Sequence, residues 1–448
     1  MILIRELARV PDLLALHAAE PARYPVLLES VASGGDSARY DLLFATTGEV
    51  LVRDGAGGIV GPHAECGSFL VALAAWQREV ALPVPTVTQP FRGGFALLLA
   101  YELAVEVESR LRLPQARLAV PQAIAWRTPV AIVRDRIGGR AWVAGEATHP
   151  DLVERACVDA AIERGPFPPQ RRLAAIEEEA PSRYLDGVRR ALDYIAAGDV
   201  FQVNLSRAWR AQRPHGLDAA SIYAALRESN PAPFAGLVQW DDWALACSSP
   251  ERLVSLHQGV LQTRPIAGTR PRFAGDDDAA RMRELVGHPK ERAEHIMLID
   301  LERNDLGRVA VPGSVVVDEL MTVESYAHVH HIVSNVRAEL RAGLGPVDAI
   351  RAVFPGGTIT GCPKVRCMEI IAELEGEGRG FYTGALGYLG SDGELDLNIL
   401  IRSMTIAGAA IEFRAGAGIV ADSEPQRELE ETRAKARGLI RALVEEAQ

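Results

Sequence analysis

The chain has 448 residues, 48% hydrophobic and 24% charged, the balance of an ordinary globular protein with ample core. A net charge of −11 argues against nucleic acid and anionic membrane partners, and leaves room for an anionic substrate held by local Arg, Lys or metal. Five cysteines without a CxxC pair, no basic apolar leader and no apolar run of bilayer length point to a reduced, soluble, cytoplasmic protein.

Residues 1–150 mix short strands with Gly turns, as in YDLLFATTGEVLVRDGAGG and PFRGGFALLLAYELAVEV. Residues 151–180 become polar and Pro-rich and read as a connector. SRYLDGVRRALDYIAAGDV follows, with apolar residues at helical spacing and Gly198 at its end. FAGLVQW, WALACSS and RLVSLHQGVLQTR read as strands closed by the turn PIAGTRPR. Helical residues 276–304 lead into alternating strands up to VHHIVSNVRAEL, and PVDAIRAVFPGGTITGCPKVRCMEIIAELE is a loop between helices. GFYTGALGYLG, LDLNILIRSMTIAG and AIEFRAGAGIVA read as strands, and a helix closes the chain. Without strict β-α alternation the fold class is α+β, an α/β sandwich of two large, mostly antiparallel sheets with outer helices. No long flexible linker divides it, so the N-terminal region 1–150 is expected to complete the sheets of a catalytic domain over 184–448.

Two acidic helical segments repeat one geometry. Glu291 and Glu294 lie in PKERAEHIMLIDLERNDLGR, and Glu428 and Glu431 in EPQRELEETRAKARG. Each pair is spaced by three, so both carboxylates share a helix face. Either pair alone reads as solvated surface, since exposed Glu is the norm. Brought together they would repel unless a cation lay between them, and oxygen-only ligands suit Mg²⁺.

From about residue 184 onward the chain resembles the chorismate-utilising enzymes, which include the anthranilate, aminodeoxychorismate, isochorismate and salicylate synthases. The matching blocks are GDVFQVNLSRAW, SSPERLVS, TRPIAGTRPR, PKERAEHIMLIDLERNDLGRVA, HVHHIVS, FPGGTITGCPKVRCMEII, YTGALGYL, IRSM, RAGAGIVADSEP and EETRAKAR. YPVLLES and PFRGGFALLLAYE resemble, more loosely, the N-terminal region of the two amine-transferring members. The resemblance implies a Mg²⁺-dependent reaction on chorismate. Glu294 and Glu431 would hold the metal, with Glu291 and Glu428 in its water shell. Arg402 and Tyr382 would bind the enolpyruvyl carboxylate, and Gly416, Ala417 and Gly418 would bring backbone N–H groups close. Gly268, Thr269 and Lys435 would line the same pocket. Glu251 would protonate the departing C4 hydroxyl, for which burial must raise its pKa. His331 matches the family's active-site histidine. Strand alternation puts His330 on the opposite face, and the HxHH cluster with His328 is not expected to bind a transition metal.

Two positions sort the family by nucleophile. Water-adding members carry Lys where this chain has Gln202, and Gln cannot activate water. Many aminodeoxychorismate synthases read PIKGT, with a Lys that attacks C2, where this chain has Ala267, as anthranilate synthases do. QVNLS with Asn204, FPGGTITGCPK with Gly357, NPAPF with Phe234 and LDLNILIRS point instead to the aminodeoxychorismate branch, since anthranilate synthases more often show QVVLS, FPAGT and NPSPYM. LLES with Ser30, facing Pro231, Pro233 and Phe234, would form the family's tryptophan pocket, or only a strand edge. The expectation is amination of chorismate to 4-amino-4-deoxychorismate, toward 4-aminobenzoate and folate. Anthranilate formation is the alternative, followed by a non-catalytic chorismate-binding role. No glutaminase motif is present, so ammonia would come from solution or from a separate glutamine amidotransferase subunit.

Overall fold

The computed structural model describes residues 1–32, 39–83, 89–172, 175–271, 289–325 and 329–444, and within these not the side chains of 267–271, 289–291, 325, 329 and 330. Among the described residues two antiparallel sheets of twelve and eleven strands face each other. The first runs from Ile2–Glu6 through Arg140–Glu146, Val130–Asp135, Tyr40–Ala45, Val26–Glu29, Phe234–Trp240, Trp243–Ser249, Ser403–Ala407 and Ala410–Ile419 to Gln202–Gln212. The second includes Val329–Glu339, Val260–Thr263, Arg252–His257, Leu395–Ile399, Ala385–Gly390, Gly94–Leu99 and Ala123–Arg127. Val26–Glu29 pairs with Phe234–Trp240, and Gly94–Leu99 with Ala385–Gly390, so strands from both halves of the chain share each sheet.

Why these strands carry so few polar residues follows from their layers. In Gly94–Leu99, Phe95, Leu97 and Leu99 join an apolar cluster with the helices Phe69–Glu79, Pro289–Gly307 and Pro346–Val353. Ala96 and Leu98 face a second cluster with Phe44, Val133 and Leu245 of the other sheet. Leu27, Leu43 and Ile132 face outward against the helices Leu13–Ala19, Pro150–Ala161, Ala219–Ser229 and Pro425–Leu443. The order is therefore helices, sheet, sheet, helices, with both faces of the central strands buried.

The expected connector is partly ordered structure. Pro150–Ala161 is a helix with Pro at its first turn, burying Val153, Ala156 and Ala160. Its polar composition reflects the solvent face of an amphipathic helix rather than a linker. Glu177–Glu178 adds an edge strand to Gln202–Gln212. The helix expected over 276–304 spans Pro289–Gly307, and its earlier residues lie outside the described ones.

Two chain crossings between the sheets position the site. Trp243–Ser249 belongs to the first sheet and Arg252–His257 to the second, with Glu251 at the crossing. Leu395–Ile399 and Ser403–Ala407 make the reverse crossing, with Arg402 at its end. The two are tied by Ile399 N–H to Glu251 O at 3.0 Å and Ser248 N–H to Arg402 O at 3.0 Å. Arg402 has φ of +52° and Thr383 of +64°, left-handed values that non-glycine residues adopt only where surroundings impose them.

Candidate active site

Glu251 is 6% exposed, and Thr358 Oγ1 donates a 2.7 Å hydrogen bond to its Oε1. Burial pushes the Glu251 carboxyl up to about 7, while the Thr358 bond and the charges of Lys435 and Arg402 pull the other way. A carboxylic acid with that balance holds a proton near neutral pH and can give it up. The Arg402 guanidinium feels Tyr382, Glu431 and Glu251, and among the described residues its side chain makes no hydrogen bond or ion pair. An arginine with no ion pair among the described residues, beside the buried Tyr382, is suited to receive an anion.

The floor of the site is the strand Ala410–Ile419, paired with Gln202–Gln212 so that Asn204 lies opposite Gly418 and Ser206 opposite Gly416. A Cβ at Gly418 would fall 2.2 Å from Gln202 Nε2 and 3.5 Å from Glu294 Oε1. A Cβ at Gly416 would fall 3.0 Å from both Asn204 Oδ1 and the Tyr382 hydroxyl. The bare glycines thus let four polar side chains from three other elements lie against the strand. Ala417 between them points into the small cluster of Tyr184, Val188, Val203 and Ile370. Lys435 Nζ donates to Gly416 O at 3.0 Å and pairs with Glu431 at 2.6 Å.

Gln202 is 3% exposed, and its Nε2 donates to Glu294 Oε1 at 3.3 Å. Glu428 is buried and Glu431 half exposed, and the buried Tyr184 phenol feels both charges. The two carboxylate-bearing helices therefore both reach the glycine strand, Glu294 at Gly418 and Glu431 through Lys435 at Gly416. Among the described residues, however, no three or more His, Cys, Asp or Glu side chains gather into one metal-holding cluster. Glu294 accepts from Gln202 Nε2 and Glu431 pairs with Lys435. The donor chemistry, all carboxylate oxygen, fits a hard divalent cation. The side chain of Glu291 lies outside the described residues.

His331 is buried in Val329–Glu339, opposite Thr269 on one neighbouring strand and Glu324 on the other. Ala267, Gly268 and Thr269 belong to the same neighbouring strand, Ile266–Pro271, but the side chains of Ala267 and Thr269 lie outside the described residues, as do His328 and the His330 side chain.

Several residues of the site have no individual role assigned from the sequence. Thr358, 107 positions from Glu251, becomes its partner only through the fold. Arg379 is held between the rings of Tyr101 and Tyr382, at 4.9 and 5.7 Å, and donates to Asn204 O at 2.7 Å and Ile359 O at 3.1 Å. Its buried counter-charge Glu375 also takes Arg414 and Ser206. One ion network therefore ties the strand of Gln202, the turn of Thr358 and the ring of Tyr382. Glu302 is buried near Gly357, and burial and the neighbouring Asp305 raise its pKa, while Asp305 is paired with Lys364.

Ser30, Pro233 and Phe234 come together in a cavity of about 180 Å³ that none of these site residues lines, and Pro231 does not line it either. Arg252 stacks on Phe234 at 5.1 Å and pairs with Asp396 at 2.9 Å, and Ser30 Oγ donates to Tyr40 O at 3.1 Å.

Residues 63–441 match the family described as chorismate binding enzyme. The chain is 38% identical over 446 residues to aminodeoxychorismate synthase component 1 of Bacillus subtilis, covering 95% of this chain and 93% of that protein. It is 39% identical over 445 residues to anthranilate synthase component 1 of Thermus thermophilus, covering 96% and 94%. The crystal structure of anthranilate synthase component I from Streptococcus pneumoniae superposes with a TM-score of 0.80 at 29% identity, covering 90% of this chain and 92% of that one. The expected α+β sandwich is the fold observed. The chain belongs to the chorismate-binding enzyme family, as a member of the anthranilate and aminodeoxychorismate synthase component I type.

Proposed function

We propose that the chain is an aminodeoxychorismate synthase component I, converting chorismate and ammonia to 4-amino-4-deoxychorismate. The observation that carries the amine-transfer reading is Gln202, a buried neutral amide bonded to Glu294 where a water-adding enzyme needs a base. Glu251 is the acid that protonates the C4 hydroxyl as it leaves. Its burial, which raises the carboxyl toward neutrality, supports that role. Arg402 and Tyr382 take the enolpyruvyl carboxylate, and the N–H groups around Gly416 and Gly418 seat the substrate. Lys435 adds positive charge through its place beside Gly416. His331, Gly268 and Thr269 are assigned to the same pocket on the family resemblance.

Glu294 and Glu431 would hold Mg²⁺, with Glu291 and Glu428 behind them. When bound, the ion neutralises the ring carboxylate of chorismate and polarises the ring for substitution. Ammonia would come from a separate glutamine amidotransferase. No helix among the described residues is long and apolar enough to cross a membrane, which suits a protein working in the cytoplasm.

Anthranilate formation is the second reading, favoured by two observations. Ala267 offers no nucleophile for a covalent route at C2. Ser30, Pro233 and Phe234 share a cavity where that branch binds tryptophan. Identification of the product from chorismate, Mg²⁺ and ammonium separates the two.

A further inference from the structure

Among the described residues two buried acceptors in the site are left unpaired. Asn204 and Gln202 are two residues apart on Gln202–Gln212, so their side chains share one face of the strand. Asn204 Nδ2 donates to Thr358 O at 3.3 Å, which fixes the orientation of the amide and turns Oδ1 toward Gly416 and the Tyr382 hydroxyl. Asn204 Oδ1 and Gln202 Oε1 are both buried and accept no hydrogen bond among the described residues. An orphaned buried acceptor is costly and marks a place where a donor is expected. Thr358 links this place to chemistry, since its carbonyl takes the Asn204 amide while its hydroxyl holds Glu251.

The ligand class follows from the atoms. Both orphans are amide oxygens, which accept hydrogen bonds and can neither donate nor take a proton. Ammonia has three N–H donors and one lone pair. Oxygens that hold its hydrogens leave the lone pair directed at a carbon. Through Thr358, Asn204 is linked to Glu251, the acid assigned above to the C4 hydroxyl, whereas Gln202 is bonded to Glu294.

We propose that Asn204 and Gln202 form the subsite for the ammonia nucleophile, and that Asn204 Oδ1 directs ammonia to C4 rather than C2. The inference rests on the aminating function proposed above. In the step at C4, the C–N bond forms as the C–O bond breaks and Glu251 gives its proton to the leaving hydroxyl, which departs as water. The surplus proton on the new nitrogen returns to the Glu251 carboxylate, so the acid is restored. A valine at this position, as in the QVVLS of anthranilate synthases, would offer no acceptor.

The test compares the wild-type enzyme with Asn204→Val and Asn204→Ser, using chorismate, Mg²⁺ and ammonium chloride. The KM for ammonium, the KM for chorismate and the ratio of 4-amino to 2-amino product are measured. Loss of one hydrogen bond to the nucleophile should raise the ammonium KM about tenfold. The chorismate KM should stay within about twofold, and the product ratio should move toward the 2-amino compound. Asn204→Ser, with a smaller side chain, is read in the same way should the valine variant not fold. Unchanged ammonium KM and product ratio in a folded variant would overturn the inference, as would a rise in the chorismate KM alone. A wild-type enzyme that makes no 4-amino product would instead overturn the proposed function beneath it.

Discussion

Thr358 Oγ1 donates a 2.7 Å hydrogen bond to Glu251 Oε1 across the point where the chain passes from one sheet to the other. A donor stabilises the ionised carboxylate, whereas burial disfavours it, and in Glu251 burial wins. The outcome is a carboxyl held near 7, an acid that is neither locked in its neutral form nor spent at working pH.

Replacing Glu251 by Gln keeps the shape and removes the transferable proton. Turnover of chorismate with ammonium should fall by about two to four orders of magnitude. The dissociation constant for chorismate, measured by calorimetry, should change no more than a few-fold. Near-normal turnover would remove Glu251 from the chemistry.

Thr358→Val removes the bond that favours the charged form, so the Glu251 pKa should rise further. An acid works only while protonated, and the decline of kcat/KM on the alkaline side should therefore move to higher pH, by roughly one unit. A pH-rate profile of the variant that coincides with that of the parent would show that Thr358 does not tune the acid.

Much of this architecture is legible in the residues themselves. GFALLLA has no polar side because both faces of Gly94–Leu99 are buried, and the i, i+3 spacing of Glu428 and Glu431 is helical as read. The crossing inside LDLNILIRSMTIAG is not legible, because nothing at Leu400–Arg402 resembles a turn and the left-handed Arg402 replaces the expected Gly or Asn. Asn204 and Thr358 lie 154 positions apart, and Arg379 reaches three segments at once. Such contacts come from the closed sandwich and from no local pattern.

Glu294→Gln or Glu431→Gln should weaken Mg²⁺ binding at least about tenfold by calorimetry and lower activity at limiting Mg²⁺, because each removes a charged oxygen ligand. The far-UV circular dichroism should be unchanged. Full activity and affinity in either variant would move the metal elsewhere.

Glu302 provides a test on stability. Burial and the Asp305 charge raise its folded pKa above the unfolded value. Its contribution to stability is therefore fully present below the unfolded pKa and lost as pH rises through the folded one. Gln never ionises, so Glu302→Gln should gain Tm over the parent by more at pH 8.5 than at pH 5.5. A gain independent of pH would contradict the assignment.

The most direct measurement is the product made from chorismate, Mg²⁺ and ammonium by the purified chain, resolved by chromatography and mass spectrometry. The expected product is 4-amino-4-deoxychorismate, with no lysine-linked adduct on the quenched enzyme because Ala267 supplies no nucleophile. Anthranilate as the sole product would contradict it.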